Sequence, residues 1–230
     1  MTGRRLTRFG CALALLLWLA CPWPASAQHG HAEHRRPTDL KQYLEHLDRP
    51  ERDQYQKPDQ VVEALGLKAG MAVADLGSGS GYFTRRFVKA VTGRGKVYAI
   101  DVEPEMLAYT KTSIERLPIP STVEFILASP DSPKLPPASV DLIFLCNVYH
   151  HLEDRVPYFS AVQPALKTEG RITIVDFYHD KRSGDVGFPR RHLVARETVV
   201  AEMRRAGYRL LREHAFLPRQ YFLEFVLGRE

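Results

Sequence analysis

The chain has 230 residues, 44% of them hydrophobic, which is most simply one domain with a full-sized core. The net charge is +5 and the pI about 9.1, but Arg4, Arg5 and Arg8 supply three of those charges within residues 1–27, where there is no acid, so the remainder stands at +2. That remainder has no basic stripe of the kind that holds a nucleic acid, and a nucleic-acid partner is not expected.

Residues 1–27 read as an export signal. Arg4, Arg5 and Arg8 make a positive start, residues 11–20 an apolar core, and Ala25-Ser26-Ala27 a cleavage site before Gln28. The apolar run is short for a permanent span and Pro22 and Pro24 break it, so no stable membrane span is expected after cleavage. The expected location is periplasmic or secreted; an uncleaved anchor and a lipidated Cys21 are the alternatives. Of Cys11, Cys21 and Cys146 only Cys146 would survive cleavage, which leaves no intramolecular disulfide and argues against a thiol-rich metal or arsenic site. His29, His31 and His34 lie in residues 28–38, a polar linker whose histidines are read as a solvated tail, with no metal site expected.

From Asp39 onward, Leu40, Tyr43, Leu44 and Leu47 recur at helical spacing. Pro50 interrupts that helix, and residues 51–56 form a polar stretch of mixed charge. A second helix starts at Pro58, a favourable first-turn residue, and carries Val61, Val62, Ala64 and Leu65 to Gly66.

A short apolar strand over residues 71–74 then runs into Asp75-Leu76-Gly77-Ser78-Gly79-Ser80-Gly81, and a helix follows with Tyr82, Phe83, Phe87 and Val88 on one face. Strand, glycine turn and helix open a nucleotide-binding α/β unit, where helix N-terminus and bare backbone meet a ligand. A dinucleotide fingerprint counted from Gly77 and Gly79 needs glycine at 82, where Tyr82 stands, so a nicotinamide cofactor is disfavoured. A turn that merely joins strand to helix is the plainer reading.

The pattern Asp75-x-Gly77-x-Gly79-x-Gly81 resembles motif I of the class I S-adenosylmethionine-dependent methyltransferases. The resemblance implies that Asp75 lies near the methionine amino end of that cofactor, and that Gly77, Ser78, Gly79 and Gly81 lie along its methionine and ribose portions. It also implies that the N-terminal helical segment folds over the cofactor, with Tyr55, Gln56 and Lys57 as lid residues; simple packing on the sheet is the alternative.

Residues 96–100 are a second buried strand closing on Asp101, about 20 residues past the glycines, where such folds hold a ribose diol. Capping of the next helix, which opens with acids, is the alternative for Asp101. By resemblance Val102 would lie against the adenine. Residues 123–127 are the third strand. Ala128-Ser129 stands where many relatives have Gly-Asp, so Ser129 takes the adenine-proximal position only as a hydroxyl. Residues 140–146 are a fourth, nearly uniformly apolar strand, as at the centre of a covered parallel sheet.

Its carboxyl end carries Asn147-Val148-Tyr149-His150-His151, on the side where open α/β sheets bind ligands. By resemblance this segment lines the methyl-transfer pocket, with Asn147 toward the cofactor. His150 is the candidate base, because histidine titrates near neutrality, and Tyr149 the candidate for orienting the acceptor. Capping or packing is the alternative for either of His150 and His151.

A helix over residues 154–166 leads to a fifth strand at 171–175, which ends in Asp176. That carboxylate could contact substrate, hold a histidine or cap a turn. A polar loop at 179–190, a helix at 197–206 and two strands at 209–216 and 220–227 complete the chain. The expected fold is Rossmann-like α/β over residues 39–230, a doubly wound seven-stranded sheet, mostly parallel, with an antiparallel C-terminal hairpin.

The function expected is methyl transfer from S-adenosylmethionine to a small-molecule or lipid-like acceptor. The alternative is an exported, non-catalytic binding protein with the same fold, since this cofactor is made in the cytoplasm. Oligomeric state is not legible.

Overall fold

The structure is a computed structural model in which residues 39–92, 94–118 and 122–228 are described. The export signal and the histidine tract lie outside the described residues.

Seven strands form one sheet in the order β3-β2-β1-β4-β5-β7-β6. These are β1 (Ala72–Leu76), β2 (Lys96–Asp101), β3 (Val123–Leu127), β4 (Val140–Cys146), β5 (Leu166–Phe177), β6 (Tyr208–His214) and β7 (Gln220–Leu227). Strands β1 to β5 pair in parallel, whereas β7 runs antiparallel between β5 and β6. The seven-stranded, doubly wound arrangement is the one expected.

Alternation along the buried strands feeds two cores. Ala74 and Leu76 of β1, with Ile143 and Leu145 of β4, face α6 (Arg155–Val162) and α7 (Arg196–Arg205) through Tyr158, Phe159, Val199 and Met203. Val73, Leu142 and Phe144 face α3 (Pro58–Ala64) and α4 (Thr84–Ala90) through Val61, Phe87 and Val88. Every residue of β1 is buried, as expected for a strand covered on both faces. The remaining helix of the central unit, α5 (Pro104–Glu115), follows β2 and adds Ile114 to the second core.

Two departures from expectation exceed a residue or two at the end of an element. Residues 51–56, expected as a polar interruption, form a short helix, α2 (Glu51–Gln56), just after α1 (Leu40–Asp48). Glu51 and Asp53 occupy its first turn, where acids complement the helix dipole. It stops at Lys57, whose φ of +43° is left-handed and whose N–H returns to the Asp53 carbonyl, and Pro58 then restarts the chain as α3. Helix α6 ends at Val162, before Pro164, so β5 begins at Leu166 rather than at 171.

The path from β1 goes outward through β2 and β3, then returns to β4 on the other side of β1. The sheet therefore reverses its winding between β1 and β4, and the crevice beyond their carboxyl ends is the natural ligand position. The glycine turn leaves β1 there, Asn147 to His151 leave β4, and Asp176 lies near the end of β5.

Candidate active site

The glycine turn is drawn against β2 because the N–H groups of Gly77 and Ser78 both donate to the Ile100 carbonyl, at 2.8 and 2.9 Å. Gly77 has φ +75°, and a Cβ there would lie 2.3 Å from Val148 Cγ2. Gly81 has φ +78°, and its Cβ would lie 2.8 Å from Thr110 Cγ2. Left-handed backbone and close packing thus require glycine at both positions. The Thr110 hydroxyl donates to the Gly79 carbonyl at 2.9 Å. Ser78 Oγ is buried without a partner among the described residues.

Asp101 closes the other side of the turn. Its carboxylate accepts the Gly79 N–H at 2.8 Å and the Glu103 N–H at 3.0 Å. It thus ties the glycine turn to the residues that lead into α5, whose own N-cap is Glu103.

Asp75 is buried, and Thr84 donates to it at 2.6 Å. Burial pushes its carboxyl up to about 6, against the opposing pull of the Thr84 hydroxyl and the Arg52 guanidinium. The native chain therefore keeps a proton that the unfolded chain releases above its lower pKa. The resulting stability is complete below the unfolded value near 4 and is lost as pH rises through about 6. Asp75→Asn is expected to stabilise the ligand-free protein at pH 7 by up to roughly 3 kcal/mol and to have little effect near pH 4. Urea melts at the two pH values check this; an equal effect at both contradicts it.

Val102, just past the carboxyl end of β2, is exposed next to Asp101 in the chain. Two other sequence-predicted positions look different in the structure. The Ser129 hydroxyl donates to Asp131 at 2.6 Å, inside its own loop, rather than projecting toward a ligand. Asn147 adopts φ +59°, and its side-chain oxygen accepts from Gln220 at 2.6 Å. Gln220 in turn accepts from Gln56 at 2.9 Å, so buried amides link α2, β7 and the end of β4. The expected lid residue Gln56 is therefore pinned to the body of the domain.

The segment after β4 makes a single 3-10 turn, Tyr149–His151, which separates its three side chains. His150 Nδ1 lies 2.8 and 2.9 Å from the two oxygens of Asp176, whose side chain is fully buried. The same carboxylate accepts the backbone N–H groups of His150 at 3.2 Å and Phe177 at 2.8 Å. An acceptor so placed fixes the proton on Nδ1 and leaves Nε2 with its lone pair. Nε2 is buried and has no partner among the described residues. Phe188, from the loop after β5, stacks on the ring at 5.3 Å between centroids. Of the three roles open to Asp176, holding a histidine is the one seen. His151 is exposed, with its ring 4.1 Å from that of His150.

The expectation for Tyr149 is corrected. Its ring is fully buried and stacked on Phe159, and its hydroxyl donates to Glu202 at 2.7 Å, where Arg155 also binds. That hydroxyl serves the packing of α6 against α7 and does not orient an acceptor.

The N-terminal helices bring the residue that sequence reasoning missed. Asp48, at the end of α1, accepts from the Ser80 hydroxyl at 2.7 Å and from Arg85 at 2.9 Å, which ties α1 to the glycine turn. Arg52 of α2 reaches inward, with its guanidinium 3.9 Å above the Tyr82 ring and NH2 3.9 Å from Cys146 Sγ. Burial pushes the Cys146 thiol up to about 12, and the same thiol senses Arg52, Asp176 and Asp75. A buried arginine in so polar a helix leaves no periodic signal in the sequence.

Residues 74–174 match the family model described as a methyltransferase domain. A crystal structure of an S-adenosylmethionine-dependent methyltransferase from Aquifex aeolicus is 28% identical, with a TM-score of 0.75 over 84% of this chain and 100% of that one. The ubiquinone/menaquinone biosynthesis C-methyltransferase of Shewanella frigidimarina is 26% identical over 117 residues, 51% of this chain and 47% of the relative. The chain thus aligns with about half the length of the curated relatives it matches. The [4+2]-cyclase SpnF shares the fold at 18% identity and a TM-score of 0.59, over 69% of this chain and 58% of that one.

Proposed function

We propose that the chain is a class I S-adenosylmethionine-dependent methyltransferase, and that it methylates a small-molecule or lipid-like acceptor whose reacting atom carries a removable proton. The observation that carries this reading is the His150–Asp176 pair, a buried imidazole with an oriented Nδ1–H and an Nε2 that has no partner among the described residues.

The residues at the glycine turn fit the cofactor. Ser78 Oγ is a buried hydroxyl at the turn with no partner among the described residues, the Asp101 carboxylate lies against the turn through the Gly79 N–H, and Val102 presents an exposed apolar side chain next to it in the chain. Asp101 would hold the ribose hydroxyls, Val102 would lie on the adenine, and Gly77, Gly79 and Gly81 would follow the methionyl and ribose backbone. When bound, S-adenosylmethionine supplies an electrophilic methyl group, whose transfer leaves a thioether and releases one proton from the acceptor.

The protein's own part is to position the acceptor and take that proton. His150 Nε2 receives it, and Asp176 stabilises the imidazolium through the Nδ1–H bond. The Phe188 ring over the imidazole keeps bulk water from that nitrogen. Cys146 is an unsuitable nucleophile, because burial holds its thiol protonated. A hydroxyl, an amine or an acidic carbon suits such a base, and an acceptor with no proton to lose has no use for it.

We place the working compartment outside the cytoplasm on the strength of residues 1–27, where the cofactor would have to be delivered. An exported binding protein with this fold is the competing reading, and the cyclase relative illustrates that the fold alone does not fix the reaction. The two separate on incubation with methyl-labelled S-adenosylmethionine and a panel of phenols, quinols and amines. Label in any acceptor, lost on His150 substitution, supports transfer; tight cofactor binding with no transfer to any class supports the binding protein.

A further inference from the structure

Arg52 is a buried cation, 8% exposed, and among the described residues no carboxylate forms an ion pair with it. Among the same residues NH1 donates to the Leu47 carbonyl at 2.7 Å, NH2 meets the Cys146 sulfur at 3.9 Å, and the buried Nε has no partner. The Tyr82 face offsets part of the desolvation by a cation–π contact. Half-satisfied buried charges are costly, and a fold keeps one where something else completes it. Arg49 repeats the feature three residues earlier, with its own Nε buried and unpartnered. Both guanidiniums hold the nearby His46 imidazole below its usual pKa, behind the larger effect of burial.

The surroundings narrow what completes the site. Arg52 pulls the Asp75 carboxyl down electrostatically without forming an ion pair with it, and both side chains are buried. Ser78, with its orphaned hydroxyl, lies in the same turn that Asp75 enters. The chain from Leu47 to Arg52 wraps this turn, and Leu47 Cδ1 would stand 3.3 Å from a Cβ on Gly79. A guanidinium, a carboxyl group and a free hydroxyl at the end of β1 are complementary to a zwitterionic α-amino acid group, whose carboxylate meets the arginine and whose ammonium meets the aspartate.

We propose that Arg52 binds the carboxylate of the amino-acid portion of S-adenosylmethionine, so that α2 is an integral wall of the cofactor site. This inference rests on the cofactor reading above. The other source of a carboxylate is the acceptor, which would enter beside His150 and Phe188.

The test is calorimetric titration of wild type, Arg52→Gln and Arg52→Lys with two ligands. S-adenosylhomocysteine carries the amino-acid group, and 5′-methylthioadenosine is the same nucleoside thioether without it. Arg52→Gln is expected to bind S-adenosylhomocysteine about 10- to 100-fold more weakly and methylthioadenosine within about threefold of wild type, with Arg52→Lys between. Unchanged affinity for S-adenosylhomocysteine overturns the proposal and leaves the acceptor as the source of the carboxylate. Equal losses for both ligands also overturn it, because Arg52 would then be supporting the pocket as a whole. A wild type that binds neither ligand removes the cofactor reading and this inference together.

Discussion

Replacing His150 with alanine is expected to lower turnover by roughly 10²- to 10⁴-fold, the usual worth of a positioned general base, while leaving affinity for S-adenosylhomocysteine within about threefold. The split follows from the geometry. His150 Nε2 is buried and has no partner among the described residues, and the ring is held by Asp176 near the end of β5, whereas the glycine turn proposed to hold the cofactor follows β1 and packs on β2. Asp176→Asn is expected to act in the same direction, because it removes the acceptor that keeps the proton on Nδ1. Tyr149→Phe serves as the control: its hydroxyl faces Glu202, so turnover is expected to survive with a small loss of stability. Steady-state rates with labelled cofactor, set beside calorimetric affinities, check all three. Full turnover in His150→Ala removes the base from the mechanism.

The second large effect is structural. Gly77→Ala adds a Cβ at φ +75° that must displace Val148 Cγ2 from 2.3 Å. The left-handed backbone costs roughly 1–2 kcal/mol and the overlap roughly 1–3 kcal/mol more. In a domain of this size the midpoint of thermal unfolding is expected to fall by about 4–20 °C. Gly66→Ala separates the two contributions, since Gly66 has φ +56° but no atom within 4 Å of its added Cβ. It is expected to show the backbone cost alone. Equal shifts for both variants would mean that Val148 moves freely, and that the β1 turn does not depend on its contact with the end of β4.

The parts of this architecture that were legible in the sequence are those written in consecutive residues. The apolar run into Asp75, the alternate glycines and the amphipathic helix beyond them define β1, its turn and α4 without reference to anything distant. Asp101 was legible because β2 is short, uniformly buried and ends on an acid at a fixed interval from the glycines. The C-terminal hairpin was legible from alternation and from Pro218 between its strands.

Legibility failed where a side chain is defined by partners far along the chain. His150, His151 and Tyr149 are consecutive, and only the 3-10 turn decides that His150 meets Asp176, that Tyr149 enters the core and that His151 faces solvent. The amides of Gln56 and Gln220, separated by 164 positions, meet in the interior through no pattern in either segment. Helix α2 has the composition of a solvated stretch, yet Arg52 and Gln56 are buried in it because Tyr82, Cys146 and β7 supply their surroundings. Ser129 failed differently, since an acid two residues on captured the hydroxyl expected to reach a ligand.

Cofactor binding at the glycine turn is tested most directly by titrating the protein with S-adenosylhomocysteine in a calorimeter. A saturable isotherm with one site per chain, weakened by Asp101→Ala by roughly 1–3 kcal/mol, is the predicted result. No binding heat at millimolar ligand would contradict it.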